Sequence, residues 1–383
     1  MRFLFFIIIP LFFFSCSGIS IKDFKYSVNN EKDWIIRGGG PENINRSHSD
    51  KILKPPFVLN WKYNTDAGYP RNAFNVSDAV VFCGNLKGEL NTFDITKGNR
   101  LGNISLPDNS EINSLSLSDT FILISSNGNN QYSLFKYDFA RNEMVWKKSL
   151  GKTFSAPVLS NNRIYMTTVD GAIICMNSSD NNLLWKYDTF EKFNNTNCYF
   201  SPVIAGSDLY AGNNNGDLVS FNAIDGRLNW KYNVHSPIIS DLAVWKNCIY
   251  FTTDNFILHC LKSDNQIVWE KKMSSKIVSS LAACDSVIYV SCLDGKLIAL
   301  KESDGSIIWE FTSKASFVTS PLLHNDLLFI GSFDMNFYCI DRSNGKELWK
   351  YATGGRIRTN AVIWEEFILI ASDDENIYCF KNL

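Results

Sequence analysis

Charge of one sign, histidine, paired cysteine and internal apolar runs are all scarce in this 383-residue chain. Lys and Arg total 37 against 39 Asp and Glu, a formal net charge of −2. A general nucleic-acid binder shows a basic face, so this balance argues against that class. The four histidines, His48, His235, His259 and His324, share no short helical or hairpin spacing, so a zinc motif is not seen. No nucleophile elbow and no phosphate loop is present, and Gly38-Gly39-Gly40 has no strand-then-helix context and reads as a loop. What is abundant is aromatic: 14% of residues, with ten tryptophans, which argues against disorder in a chain long enough to bury a large core.

The one long apolar run is N-terminal. Arg2 precedes about a dozen apolar residues, the layout of a signal peptide, and the run is too short to span a bilayer comfortably. Phe14-Ser15-Cys16 resembles a bacterial lipobox, with Phe13 where Leu is usual. The expectation is a signal peptide over 1–15 and a lipid on Cys16, the alternatives being ordinary cleavage or an uncleaved anchor. Ser17 is not the Asp that resembles an inner-membrane retention signal, which favours an outer-membrane lipoprotein facing the periplasm or the cell surface. Residues 17–32 are polar and mixed and read as a tether, so 16–56 is assigned to anchor, tether and lead-in.

The tryptophans are periodic. Trp146, Trp185, Trp230, Trp269, Trp309 and Trp349 are separated by 39, 45, 39, 40 and 40 residues. Trp61 lies two periods before Trp146, and the missing mark is Gly102, in Asp94-Ile-Thr-Lys-Gly-Asn-Arg-Leu-Gly102. Within a period, strand patterns alternate with turns such as Asp170-Gly171, Asn215-Gly216 and Asp294-Gly295, which favour two-residue hairpins. In the period 309–349 the pattern predicts strands over 317–323, 327–331, 337–340 and from 347. Four antiparallel strands per forty residues is one propeller blade. Eight marks predict an all-β, eight-bladed propeller over 57–383. The last blade lacks its outer strand, and Phe57-Val58-Leu59-Asn60-Trp61 is expected to supply it and close the ring.

The unit of turn, Gly, Leu and Trp-Lys-Tyr, followed by starts such as Ser201-Pro202-Val203 and Ser320-Pro321-Leu322, resembles the PQQ-like propeller repeat. The resemblance covers roughly 34–383, including the lead-in Asp33-Trp34-Ile35-Ile36-Arg37-Gly38-Gly39-Gly40-Pro41. With the lipobox, the chain is most similar to the BamB-like accessory lipoproteins of outer-membrane barrel assembly. That implies a non-enzymatic, membrane-anchored scaffold; the repeat itself is specific for fold and weakly specific for function, because folds host many functions. The resemblance also implies a protein partner in the assembly machinery, a monomeric propeller and no cofactor. A PQQ-dependent dehydrogenase is the less favoured reading: such enzymes use a calcium site, a catalytic Asp and a disulfide between adjacent cysteines, and no two cysteines are adjacent here. The repeated acids Asp170, Asp254, Asp294, Asp334 and Asp374 sit at equivalent hairpin turns and are explained by turn formation.

Binding candidates come from departures and from the axis. Trp245 and Trp364 break the tryptophan period, each at the first hairpin bend of its blade, where an aromatic is either a docking residue or folded onto its own blade. The innermost strands start at Asn72, Ser114, Ala156, Ser201, Asp241, Ser280, Ser320 and Asn360, a polar lining for a water-filled channel. Arg71, Arg356 and Arg358 lie beside it in the first and last blades and offer a positive spot for a carboxylate or acidic loop. A ligand-binding or sensing propeller, taking a small molecule or glycan at that mouth, is therefore the alternative function. The longest irregular loop, from Tyr187 to Tyr199, carries Phe190 and Phe193. The ten cysteines divide into Cys16 and a mostly unpaired remainder. Cys175, Cys260, Cys339 and Cys379 share one small core slot with Ala299 and Ser220, and equivalent slots are a blade apart, too far for a disulfide.

Overall fold

The computed structural model describes residues 33–107, 110–128, 131–150, 155–168, 171–188 and 200–383. They form eight four-stranded antiparallel sheets, each a blade with strands A to D from the axis outward. Blade 1 is Phe74–Ser77, Val80–Gly84, Glu89–Asp94 and Arg100–Ser105. Blades 2 to 7 begin at Glu111, Val158, Val203, Ala243, Ala282 and Leu322. Blade 8 takes three strands from 362–382, and Phe57–Asn64 pairs with Asn376–Asn382 as its fourth, with Trp61 opposite Cys379. The ring closes as the sequence predicts, with the N-terminal strand completing the last blade.

Strands B and C are almost continuously buried, as in Leu327–Gly331 and Asn336–Asp341, because neighbouring blades cover both their faces. Strand D alternates, as in Glu347–Ala352, because only one face is covered. Strand A is shorter than predicted: in blade 7 only Leu322–His324 is paired, not 317–323. Pro321 has no N–H to give, and residues 317–321 have no ladder pairing.

The tryptophans are wedges between blades. The Nε1 of Trp61, Trp185, Trp230, Trp269 and Trp309 donates to the carbonyl of Ile95, Ala223, Ser263, Glu302 and Arg342 respectively, each at the C–D turn of the next blade. Directly opposite each indole in its own blade is the small slot: Cys379, Cys175, Ser220, Cys260 and Ala299. Cys175, Cys260, Cys339 and Cys379 are buried free thiols. Burial pushes the Cys175 thiol up to about 11 and the Cys292 thiol up to about 12, so both stay protonated and behave as small apolar groups.

The lead-in from Asp33 is a strap across one face, built by backbone pairing. Trp34 exchanges two hydrogen bonds of 2.9 Å with Val76 of blade 1. Ile35, Pro41 and Glu42 carbonyls accept from Leu117, Ile204 and Val244 of blades 2, 4 and 5. Asn45 Nδ2 donates to the Leu281 carbonyl at blade 6, and Asn45 and Ser47 bracket Leu323 of blade 7. Ser49 Oγ donates to the Glu365 carbonyl of blade 8. Gly38 makes the sharp bend in this strap: its φ is +69°, and a Cβ there would sit 2.3 Å from Asn43 Oδ1.

Candidate functional site

Six of the eight inner-strand starts are hydrogen-bonded to the same position of a neighbouring blade, forming a partial girdle around the axis. Asn360 Nδ2 donates to Asn72 Oδ1 (2.9 Å), and Asn360 Oδ1 accepts from the Ser320 N–H (2.8 Å). Ser320 Oγ accepts from the Ser280 N–H (3.2 Å), and Ser201 Oγ from the Ala156 N–H (2.6 Å). The repeat puts a small polar group at the same height in successive blades, so Asn360, Ser320 and Ser201 each reach the backbone of a neighbouring blade. The polarity read in the sequence is thus partly spent on joining blades.

Asp241 departs from this pattern because it is charged. Arg37 of the strap reaches it at 2.7 Å and also donates to the Ser201 carbonyl at 3.0 Å. Arg71 approaches its other oxygen at 3.8 Å and donates to the Val278 carbonyl at 2.9 Å. Burial pulls the Arg37 guanidinium below its ordinary value, and the Asp241 carboxylate opposes that shift. Arg37 is thus held as a charged stopper on the strap side, while Arg71 lies on the channel side and is about a third exposed.

A cavity of about 220 Å³ lies there, lined by Arg71, Asn72, Asn113, Ser114, Ala156, Phe200, Ser201 and Asp241. Asn113 was missed by periodicity. In blade 2 the register runs from Ile112 opposite Ser126 straight to Ser114 opposite Ser125, so Asn113 is the extra residue of a β-bulge. Its Nδ2 is buried with no hydrogen-bond partner among the described residues.

The structure therefore brings Arg71, Asn72 and Asp241 together. Asn360 joins them through Asn72, and its N–H donates to the Arg71 carbonyl at 2.8 Å. Arg356 and Arg358 do not line the cavity. Both pair with Asp373, at 3.2 and 2.9 Å, and both lie over the Phe333 ring. Trp364 is half-buried and donates to Asp33 Oδ1 at 3.0 Å, tying the strap to blade 8. Trp245 is half-buried against the core of blades 5 and 6. Cys16, Phe190 and Phe193 lie outside the described residues.

Elsewhere, a cleft of about 880 Å³ runs between the strap and blades 5 to 7, lined by Arg46, His48, Trp245 and Arg342 among others. It is larger than the channel cavity, but its Arg342 is already paired with Asp285 and Asp326, both at 3.1 Å. The hairpin acids also have local partners: Asp254 pairs with Lys276, and Asp334 accepts from Tyr338. Burial raises the Asp334 carboxyl, but hydrogen bonds from Tyr338 and Asn336 outweigh it and leave it below its ordinary value. Among the described residues, no three His, Cys, Asp or Glu groups converge on a metal position, and no helix is long and apolar enough to cross a membrane.

The outer rim has a different character. Leu183, Leu184, Ile267, Val268, Ile307 and Ile308 precede the wedge tryptophans of blades 3, 5 and 6, and each is between 39% and 52% exposed. Each outer strand carries them beside an unpaired edge.

Comparison with known proteins agrees with this geometry. The family model for outer membrane protein assembly factor BamB matches residues 87–243 and 239–380. No curated protein matches the chain by sequence. Among solved structures, BamB from Moraxella catarrhalis superposes with a TM-score of 0.72 at 14% identity, over 85% of this chain and 99% of that one. The computationally designed Ika8 protein gives 0.71 at 14% identity, over 83% and 98%. Quinohemoprotein alcohol dehydrogenase from Comamonas testosteroni gives 0.78 at 10% identity, over 92% and 81%. At such identities these likenesses establish the propeller fold and leave function to the site.

Proposed function

The chain belongs to the family described as outer membrane protein assembly factor BamB, and from that premise we propose that it is a non-enzymatic, envelope-associated scaffold that binds a protein partner in outer-membrane assembly. Cys16 carries the lipid anchor in this reading, and the propeller acts as a monomer. The observation that supports it best is the rim of aliphatic residues at Leu183, Leu184, Ile267, Val268, Ile307 and Ile308. Side chains of this kind beside a free strand edge suit docking of an extended segment, whose backbone completes the edge while its side chains meet the aliphatics. Strands B and C cannot serve, because neighbouring blades cover both faces. The dehydrogenase neighbours share the ring, but this chain lacks the adjacent cysteines that its resemblance to quinoproteins would call for.

The test is affinity capture of the tagged full chain from detergent-solubilised envelope. Recovery of an outer-membrane assembly component supports the scaffold. Repeated capture without any such component contradicts it.

A further inference from the structure

We propose that the channel cavity lined by the inner strands of blades 1 to 5 is a binding site for a carboxylate, held by Asn113 and Arg71. The site is independent of the rim and stands whether or not the rim docks a protein.

Three observations converge. The first is the bulge. A regular strand would alternate through Asn113 and keep it in the ladder; the extra residue instead takes it out of register, and Asn113 lines the cavity. Its Nδ2 is a buried donor without an acceptor among the described residues, which in a folded protein calls for an explanation. The girdle does not supply one. Asn72, Ser201 and Ser320 each have a partner in the preceding blade, whereas the Asn113 Nδ2 has none among the described residues.

The second is charge. The groups around the cavity are Arg37 and Arg71 against Asp241, two positive and one negative, which leaves one positive charge uncompensated. Arg37 is buried, with one Nη on Asp241 and the other on the Ser201 carbonyl, so it has little left to offer. Arg71 is looser, 3.8 Å from Asp241, and its fork is the group available to an incoming anion. A monoanion balances the site. A doubly charged anion would leave it negative beside Asp241. A carboxylate also matches the donors, with one oxygen for the guanidinium and the other for the Asn113 amide, whose Nδ2 is closed to solvent in this structure and turns into the cavity to meet it.

The third is size and access. The volume is about 220 Å³, and each liquid water occupies roughly 30 Å³. The cavity thus holds about seven waters, enough for a small acid or the last residue of a chain but small for most cofactors. The strap crosses the other end of the inner strands, with Arg37 stopping the channel at Asp241, so the ligand enters from the mouth opposite the strap.

Calorimetric titration of the full chain tests this, with N-acetylglycine as the acid and N-acetylglycinamide as its neutral isostere, against a sodium chloride blank. The acid is expected to bind at least tenfold more tightly than the amide. Asn113→Asp, which turns the donor into a negative charge, is expected to weaken the acid at least tenfold, and Arg71→Gln to do the same. The unfolding midpoint of each variant without ligand shows whether it is folded, and Asn113→Ser, which removes the amide without adding charge, stands in for either variant that is not. Acetate binding as well as N-acetylglycine assigns the site to free small acids. Binding only of N-acetylglycine and N-acetylglycylglycine assigns it to the carboxyl end of a peptide. Equal heats for acid and amide, or folded variants that bind the acid as the native chain does, overturn the proposal.

Discussion

The seams that join blades 5, 6 and 7 and the seam between blades 1 and 2 come from one repeat and are filled in opposite ways. In the first set the bulk comes from the earlier blade. Trp269 and Trp309 lie on Gly305 and Gly345 of the next C–D turn, where a Cβ would come within 2.8 and 2.5 Å of the indole. The indole N–H then takes the turn carbonyl, at 2.8 and 2.9 Å. Between blades 1 and 2 the bulk comes from the later blade. The wedge position is Gly102, and Phe139, which occupies the turn slot held by Glu302 and Arg342 elsewhere, packs on Phe82 with centroids 5.4 Å apart. On the far side of blade 2, Trp146 keeps its place but not its acceptor. Lys136, standing in the small slot opposite it, donates to the Ser178 carbonyl at 2.8 Å, and the Trp146 Nε1 has no partner among the described residues. What the propeller conserves across its seams is therefore filled volume, not the residue that fills it. The departures gather in blade 2, which also carries the Asn113 bulge.

The sharpest way to break the contrast is at the turn glycines. Gly345→Ala should cost about 2–4 kcal/mol, because φ is +74° and the new Cβ meets a rigid ring. Asn142→Gly, at the matching turn of blade 2, should cost about 1 kcal/mol or less, the worth of the lost Tyr137 hydrogen bond. Urea unfolding midpoints of the two variants measure the difference, and equal losses would mean that the seams do not differ. A smaller effect is expected from restoring the wedge. Gly102→Trp alone should destabilise by about 2 kcal/mol, since Phe139 already fills the space. Combined with Phe139→Ala it should recover at least about 1 kcal/mol of the summed losses, a coupling that a double-mutant cycle reads directly. Additive losses would show that the two side chains do not share one volume.

Much of the ring was legible in the sequence because wedge, turn and small slot repeat with the blade. Even Gly102 could be placed by counting. The strap was not, since Trp34, Ile35, Pro41 and Glu42 hold the blades through backbone groups, which leave no side-chain period. The polar axis was legible as a row of slots, and Asn72, Asp241 and Arg71 do meet there. Asn113 was hidden because a bulge breaks the period of two on which the reading rests. Arg356 and Arg358 stand close to the axis in sequence, but the Phe333 ring and Asp373 on neighbouring hairpins draw their side chains away, a contact no spacing reveals. For Trp364 the sequence left docking and folding back both open, and its partner Asp33 lies more than three hundred residues earlier in the chain, beyond the reach of any local pattern.

The most direct test of the scaffold account places a photo-crosslinking residue at Ile308 on the outer strand of blade 6, and for comparison at Met335 on a hairpin of the next blade, both roughly half exposed. After irradiation of intact cells, the account predicts a discrete adduct from Ile308 that contains an outer-membrane assembly protein, and a much weaker one from Met335. No protein adduct from Ile308, or the same adduct in equal yield from both positions, would contradict it.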